Sequence, residues 1–229
     1  MFPVKDDNPT STVPWVTYGI IILNLLVFGY EMSLSLDEKA LINFFDTYGL
    51  IPEKIVNGQS LFSLFTSMFI HGGFMHIFGN MLYLYIFGNN IEDIMGHRRF
   101  ILFYLLCGMA ASGLQISINP HSTVPNIGAS GAIAGVLGAY LLTFPGAKVH
   151  TLIFFGYFVR WVKLPALFVL GFWFIIQLFS GIGSLGYMTA DTGGIAFFAH
   201  IGGFVAGALL VLIFNKKKRR FLDGRFLGM

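Results

Sequence analysis

Apolar segments separated by polar links run along the whole chain, and six of these segments approach the length that crosses a bilayer. A membrane-spanning helix needs about 20 mainly apolar residues. The six segments cover residues 16–34, 74–91, 99–118, 130–144, 164–180 and 195–215. The pattern therefore predicts an all-α membrane protein that folds as a bundle of six transmembrane helices.

The links between the segments differ in character. The first, at 35–73, is long and mixes charged with apolar residues, which predicts a position at the membrane interface. The link at 147–163 places three basic residues among aromatic ones and indicates the same position. The link at 181–194 is rich in glycine and is predicted to be mobile. The expected domains are an N-terminal cytoplasmic tail (1–15), a six-helix core (16–215) and a basic cytoplasmic C-terminal tail (216–229).

Composition and charge support a membrane location and set the orientation. Hydrophobic residues make up 55% of the chain and charged residues only 11%, against about 25% charged in a typical soluble domain. Much of the surplus positive charge is the block 216–220, directly after the last apolar segment, which marks a cytoplasmic end rather than a nucleic-acid surface. Six spans then put both termini in the cytoplasm. The short outer links, 119–127 and 181–194, contain no Lys or Arg, so we predict a multi-pass cell-membrane protein.

Four polar residues within the spans stand out, namely His76, Asn80, Ser130 and His200. A buried polar group in a membrane is costly unless it has a partner. The predicted topology places all four in the outer half of the bilayer. The fourth span, at about 15 residues or about 22 Å, is shorter than the hydrocarbon core of about 30 Å. We therefore expect Ser130 to lie below the outer surface, in a pocket that water reaches from outside.

The pattern around Ser130 indicates nucleophilic chemistry. The sequence Gly-Ala-Ser-Gly at 128–131 places the serine where a loop becomes a helix. The unpaired N–H groups of a helix start would meet an oxyanion formed there. A hydroxyl needs a neighbouring base to become a nucleophile, and His200 suits that role. His76 and Asn80 lie four residues apart, on one helix face, and could donate further hydrogen bonds to the oxyanion.

Small residues provide a reason for the fourth and sixth helices to meet, because glycine faces let membrane helices approach closely. The glycines concerned are Gly128, Gly131 and Gly135 at the fourth helix and Gly203 and Gly207 on the sixth. Taken alone, Ser130 is explained by helix capping and His200 by an interhelical hydrogen bond. Their conjunction with the glycine faces and the His/Asn pair favours a catalytic site. Cys107, the single cysteine, is expected to have a packing role.

These motifs resemble those of a known family. Gly-Ala-Ser-Gly at 128–131, Ala-His-Ile-Gly-Gly-Phe-Val-Ala-Gly at 199–207, and His71 with His-Ile-Phe-Gly-Asn at 76–80 are similar to the motifs of the rhomboid family of intramembrane serine proteases. The likeness covers nearly the whole chain in span count, motif order and link lengths. It implies a six-helix rhomboid-like bundle with a long interfacial first outer loop.

The resemblance also implies residue roles. Ser130 would be the nucleophile and His200 the base of a dyad without a third acidic member. His76, Asn80 and the backbone N–H of Ser130 would form the oxyanion hole. Substrates would be transmembrane segments of other proteins within membrane lipid, cut near their outer end, with small residues favoured at the cleavage site. The resemblance implies no metal and no organic cofactor.

Two positions depart from the family pattern. Phe62 and Ser63 stand where members often carry a Trp-Arg pair, which concerns the anchoring of the first loop. Ala134 stands where many members have an aromatic residue that stacks on the histidine, so the sequence does not show what holds the His200 ring.

Other functions fit the sequence less well. A catalytically inactive rhomboid-like protein that binds membrane clients typically lacks the serine or the histidine, and both are present here. Transporters and channels usually show charged pathway residues or broken mid-membrane helices. Two other classes of intramembrane protease are excluded, since the chain has neither a His-Glu-x-x-His zinc motif nor a pair of mid-helix aspartates.

Overall fold

The computed structural model describes residues 1–155, 158–186 and 196–215. Its strands are β1 (Phe2–Asp6), β2 (Lys148–Phe155) and β3 (Phe158–Pro165). Its helices are α1 (Trp15–Leu34), α2 (Glu38–Tyr48), α3 (Pro52–Val56), α4 (Ser63–Thr66), α5 (Phe74–Tyr83), α6 (Asn89–Met95), α7 (His97–Ile118), α8 (Ser130–Thr143), α9 (Ala166–Ser184) and α10 (Phe197–Phe214). The basic block at 216–220 and positions 187–194 of the predicted mobile link lie outside the described residues.

Helices dominate the described fold, as the hydrophobic pattern predicts. Four of them, α1, α7, α9 and α10, are long and apolar enough to cross a membrane by length and composition. Helix α8 is apolar but has only 14 residues. The predicted second span consists of α5, a π-helical turn at Leu84–Gly88 and α6, which follow one another without a gap. Helix α9 ends at Ser184, beyond the predicted end at residue 180.

Helix α8 packs against both α7 and α10, which also contact each other, and its residues from Gly131 to Tyr140 are all buried. Glycine makes this position possible. A Cβ atom on Gly203 would overlap the carbonyl oxygen of Gly131, and a Cβ atom on Gly207 would overlap that of Gly135. The backbones of α8 and α10 therefore touch along two successive turns, at the positions where the sequence places its glycine faces.

A buried carboxylate joins the start of α1 to the end of α6. Glu92 is fully buried and accepts hydrogen bonds from the backbone N–H groups of Val16 (3.0 Å) and Thr17 (2.7 Å) and from the Thr17 hydroxyl (2.7 Å). His97 Nδ1 lies 2.5 Å from the same carboxylate. An acidic group at a helix N-terminus is favourable because it faces the positive end of the helix dipole. The contacts hold α1 against the α6–α7 joint.

The all-α expectation is wrong in one place, because the described chain contains a three-stranded antiparallel sheet in the order β1-β2-β3. The link predicted at 147–163 folds as the hairpin β2–β3, and part of the predicted N-terminal tail forms β1, which pairs with β2. The hairpin is rich in β-branched and aromatic residues, which favour strands. Basic residues among them suggested an interfacial segment instead, and β1 is too short to be detected by periodicity.

The contact between α8 and α10 predicts a position-specific sensitivity to added side-chain volume. Gly207→Val should lower the free energy of unfolding by about 1–3 kcal/mol, the usual range for overpacking, because the new side chain meets the α8 backbone. Gly29→Val in α1 is the matched control, since a Cβ atom there would have nothing within 4 Å. Thermal unfolding in detergent measures both. Equal stability of Gly207→Val and the parent would contradict the described helix contact.

Candidate active site

A cavity of about 820 Å³ lies where α5, α8 and α10 begin, and α9 supplies one of its walls. The four polar residues singled out in the sequence, namely His76, Asn80, Ser130 and His200, all line it. They come from three helices that are far apart in sequence. Tertiary packing thus brings together in one cavity the side chains that the predicted topology placed at one depth.

Ser130 and His200 are in direct contact. The distance between Ser130 Oγ and His200 Nε2 is 2.8 Å, and His200 Nδ1 lies 2.7 Å from Gln177 Oε1. An amide oxygen only accepts hydrogen bonds, so the proton of a neutral His200 ring resides on Nδ1. Nε2 is then free to accept the Ser130 hydroxyl proton. This is the tautomer that a base acting on Ser130 requires.

The His200 ring is held by Gln177 and Trp173 of α9, which both contact it. The aromatic residue that Ala134 replaces is therefore not needed for this purpose. The Trp173 and His200 ring centroids are 5.8 Å apart with an interplanar angle of 39°. Sequence reasoning missed both residues as parts of the site. Gln177 did leave a signal, since it is the one amide side chain in the apolar segment 164–180 and is buried in the structure.

The turn before Ser130 is tightly constrained. Gly128 has a φ of +126°, in the region that favours glycine, and its N–H donates to the carbonyl oxygen of Ser67 at 2.9 Å. A Cβ atom on Gly128 would lie 2.8 Å from His76 Nε2. Ala129 is the N-cap and provides no side-chain hydrogen bond. Ser130 is therefore the first residue of α8 and not its cap, and its N–H precedes the first intrahelical bond.

Asn80 carries a hydrogen-bond donor without a partner in the described part of the chain. Its side chain is buried, and its Nδ2 atom makes no hydrogen bond there. An unpaired donor that lines a cavity is costly, and an anion formed in the cavity would satisfy it. His76, one helical turn earlier, lines the same cavity.

His71 packs behind His76, with ring centroids 5.1 Å apart in an edge-on arrangement. The side chain is 1% exposed. Burial, and secondarily the proximity of His76, lowers the pKa of His71 to about 4, so the ring is neutral at pH 7. Its backbone N–H donates to the buried Glu31 carboxylate at 3.2 Å. His71 thereby fixes the loop that leads into α5.

The other departure from the family pattern lies away from the cavity. The Phe62 ring packs edge-on against Tyr48 at a centroid distance of 6.1 Å, and Ser63 is fully buried. The Thr66 hydroxyl donates to the carbonyl oxygen of Tyr48 at 2.6 Å. Aromatic packing and one hydrogen bond thus join α4 to the end of α2 within the first link.

Comparison with known proteins points to one family. A family profile described as the Rhomboid domain matches residues 58–217. The chain is 27% identical to RHOMBOID-like protein 1 of Arabidopsis thaliana over 227 residues. This alignment covers 88% of this chain and 53% of that protein. It is 34% identical to the mitochondrial RHOMBOID-like protein 6 of the same plant over 161 residues. That alignment covers 70% of this chain and 46% of that protein.

A bacterial relative is also similar. Rhomboid protease GluP of Bacillus subtilis (strain 168) is 30% identical over 202 residues, which cover 87% of this chain and 35% of that protein. The chain spans about half or less of the length of these three relatives.

The contact between Gln177 and His200 predicts a positioning role for the amide. Gln177→Leu removes the acceptor for Nδ1–H and should slow labelling of Ser130 by a fluorophosphonate probe roughly tenfold, the effect of about 1.4 kcal/mol. Gln177→Glu keeps an acceptor oxygen and should label faster than Gln177→Leu, with an altered pH profile. Gln59→Leu, at an exposed position, is the control. Unchanged labelling in Gln177→Leu would refute the role.

Proposed function

The chain belongs to the rhomboid family, and on that premise we propose that it is an intramembrane serine endopeptidase that acts through Ser130 and His200. The observation that carries the proposal is the distance of 2.8 Å between Ser130 Oγ and His200 Nε2. Relatives that bear the name of proteases, such as GluP, support this activity at the level of the family. The presence of both serine and histidine disfavours an inactive, client-binding relative.

The proposed reaction follows from the hydrogen bonds. Ser130 Oγ attacks the carbonyl carbon of the scissile peptide bond while its proton passes to His200 Nε2. Gln177 Oε1 accepts the Nδ1–H bond and stabilises the imidazolium that forms. The imidazolium then protonates the departing amine as the C–N bond breaks, which leaves an acyl ester on Ser130. Water then attacks the ester carbon while His200 takes its proton, the bond from that carbon to Ser130 Oγ breaks, and His200 returns the proton to Oγ as the carboxylic acid product leaves.

The developing oxyanion needs hydrogen-bond donors. The unpaired Nδ2 of Asn80 and the N–H of Ser130 at the start of α8 suit this role, as does the ring of His76. Each is a donor at the cavity wall before any substrate arrives, so little reorganisation is needed during the reaction. Arrangements of this kind supply much of the rate enhancement in acyl transfer.

The shape of the cavity suits a transmembrane substrate. Its lining includes Met75, Gly79 and Tyr83 of α5, Trp173 of α9 and Leu137 of α8. These residues are mainly apolar, as expected for a site that receives a segment from lipid. We propose that the substrate is a transmembrane segment of another protein, cut near its outer end, with a small residue favoured at the cleavage site.

The same proposal includes the membrane topology. The consecutive residues from Phe74 to Met95 would measure about 33 Å as a helix, enough for a span, and α8 would complete a set of six. Both ends of the core (16–215) would then face the cytoplasm, with the basic tail at 216–229 on that side and the first link at the outer interface, while β1 of the predicted tail at 1–15 packs against the bundle. The site would open toward the outer face of a cell membrane.

The central prediction concerns the two residues of the dyad. In vesicles with a single-span substrate that bears a small residue near its outer end, Ser130→Ala and His200→Ala should each abolish cleavage above the uncatalysed background, because nucleophile or base is lost. Ser117→Ala, an exposed position at the end of α7, should cleave like the parent. Product formation is followed by mass spectrometry of the fragments. Cleavage by the Ser130→Ala variant would contradict the proposal that Ser130 is the nucleophile.

A second prediction concerns the oxyanion. Asn80→Leu has a similar size but no donor, and it should reduce kcat by about 10²–10³ with little change in KM, because the lost bond forms only in the transition state. Asn90→Leu, in α6 and away from the cavity, provides a comparison for the general effect of losing a buried amide. A change confined to KM would assign Asn80 to substrate binding instead.

A further inference from the structure

The outward face of the β-sheet carries an ordered sequence of side chains from its base to its tip. Directly paired residues point to the same face of an antiparallel sheet. At the base, Lys5, His150 and Lys163 lie side by side on the three strands. One pair further along, Leu152 lies beside Trp161, and beyond these Phe154 lies beside Val159. The face thus changes from basic through aromatic to apolar within three rows.

Contacts with the bundle fix the position of this gradient. At the base of the sheet, the Tyr140 hydroxyl in the last turns of α8 donates to Asp6 Oδ2 at 2.5 Å. At the far end of β1, Phe2 pairs with Leu152 at the edge of this face, and its ring stacks on Phe78 of α5 at 6.3 Å between centroids. Phe78 lies between His76 and Asn80 in sequence and hence at the level of the cavity. The sheet therefore extends along the side of the bundle, from the end of α8 toward its middle.

The apolar end of the face is exposed. Phe154, Val159 and Trp161 have exposed fractions of 58%, 56% and 54%. The opposite face is covered at the base, where Val149 and Thr151 are fully buried. Arg160 pairs with Ile153 and therefore belongs to this opposite face, so it does not interrupt the apolar rows.

Trp161 joins the polar and apolar parts of the face. Its Nε1–H donates to His150 Nδ1 at 3.1 Å, and His150 Nε2 lies 2.6 Å from Asp7 Oδ1. The indole N–H therefore points toward the basic row while the ring lies beside Leu152. Tryptophan adopts this arrangement at membrane interfaces, where one end of the ring is apolar and the other is wet.

Positive charge exceeds negative charge at the base. Lys163 Nζ lies 3.0 Å from Asp7 Oδ2, and the hydrogen bonds from Lys163 and His150 hold the pKa of Asp7 below its ordinary value of 3.8. Asp7 is thus ionised at neutral pH and balances Lys163. Lys5 and Lys148 are exposed, and neither forms an ion pair within the described part of the chain.

We propose that this outward face of the sheet is a binding surface for anionic phospholipid. The headgroup phosphate lies at Lys5 and Lys148, the Trp161 indole lies at the carbonyl level, and the acyl chains cover Phe154 and Val159. Chain connectivity supports a lipid occupant, because the hairpin joins α8 directly to α9 and so stays beside the apolar helices. Lysines near an anionic surface contribute about 1 kcal/mol each. Apolar side chains at the level of the bundle interior favour acyl chains over water.

Fluorescence quenching in vesicles tests the surface without reference to proteolysis. The full chain has three tryptophans, so Trp15→Phe with Trp173→Phe leaves Trp161 as the sole emitter. Acyl-brominated phosphatidylglycerol in phosphatidylcholine should quench Trp161 more than brominated phosphatidylcholine at the same mole fraction. Lys5→Gln and Lys148→Gln should each lower this preference about fivefold, the ratio that corresponds to about 1 kcal/mol. Lys39→Gln in α2 is the matched control.

Other outcomes would overturn the proposal. Equal quenching by the two brominated lipids would exclude selectivity for anionic headgroups. Quenching by aqueous iodide without quenching by bromine would place the hairpin in water. Quenching that falls as the protein-to-lipid ratio rises would indicate that a second copy of the chain covers the face. Soluble glycerol phosphate should leave the lipid preference unchanged, and loss of the preference on its addition would show a phosphate site without lipid contact.

Discussion

The close backbone contact between α8 and α10 is the constraint on which the site depends. Gly131 faces Gly203 and, one turn along, Gly135 faces Gly207, with no room for a Cβ atom between the helices. Helices in lipid gain little from the hydrophobic effect when they associate, so close packing must hold them together. Ser130 immediately precedes the first contact on α8, and His200 precedes it by three residues on α10. The helix crossing therefore sets the distance between hydroxyl and imidazole.

A third helix determines the state of the histidine. Gln177 and Trp173 on α9 contact the ring that α10 carries, and α9 also forms a wall of the cavity. The ring is thus held from outside its own helix. In the proposed protease, a displacement of α9 that widens the cavity would also move the acceptor of Nδ1–H, so substrate entry and the orientation of the base are linked through one helix.

Two buried carboxylates show how polar groups are satisfied in a membrane interior, where each needs a partner. Glu92 receives the N–H groups at the start of α1, and Glu31 receives the N–H of His71. Several buried polar atoms of the described chain have no partner, and of the residues that carry them only Asn80 lines the cavity. In the proposed protease, this position makes the Asn80 amide available to the oxyanion. The sheet also separates polar from apolar side chains, with charged residues at its base and apolar rings toward its tip.

The sequence by itself determined the helical segments, the glycine faces and the polar residues His76, Asn80, Ser130 and His200. These features can be recognised from the local hydrophobic periodicity and from polar residues whose burial in a membrane is energetically costly. Only the tertiary structure decided what holds the His200 ring, because Gln177 and Trp173 come from a helix whose rotation cannot be read from an almost uniformly apolar segment. The formation of the sheet also depends on tertiary contacts. Residues 2–6 become a strand only because the distant hairpin at 148–165 presents an edge with which they pair.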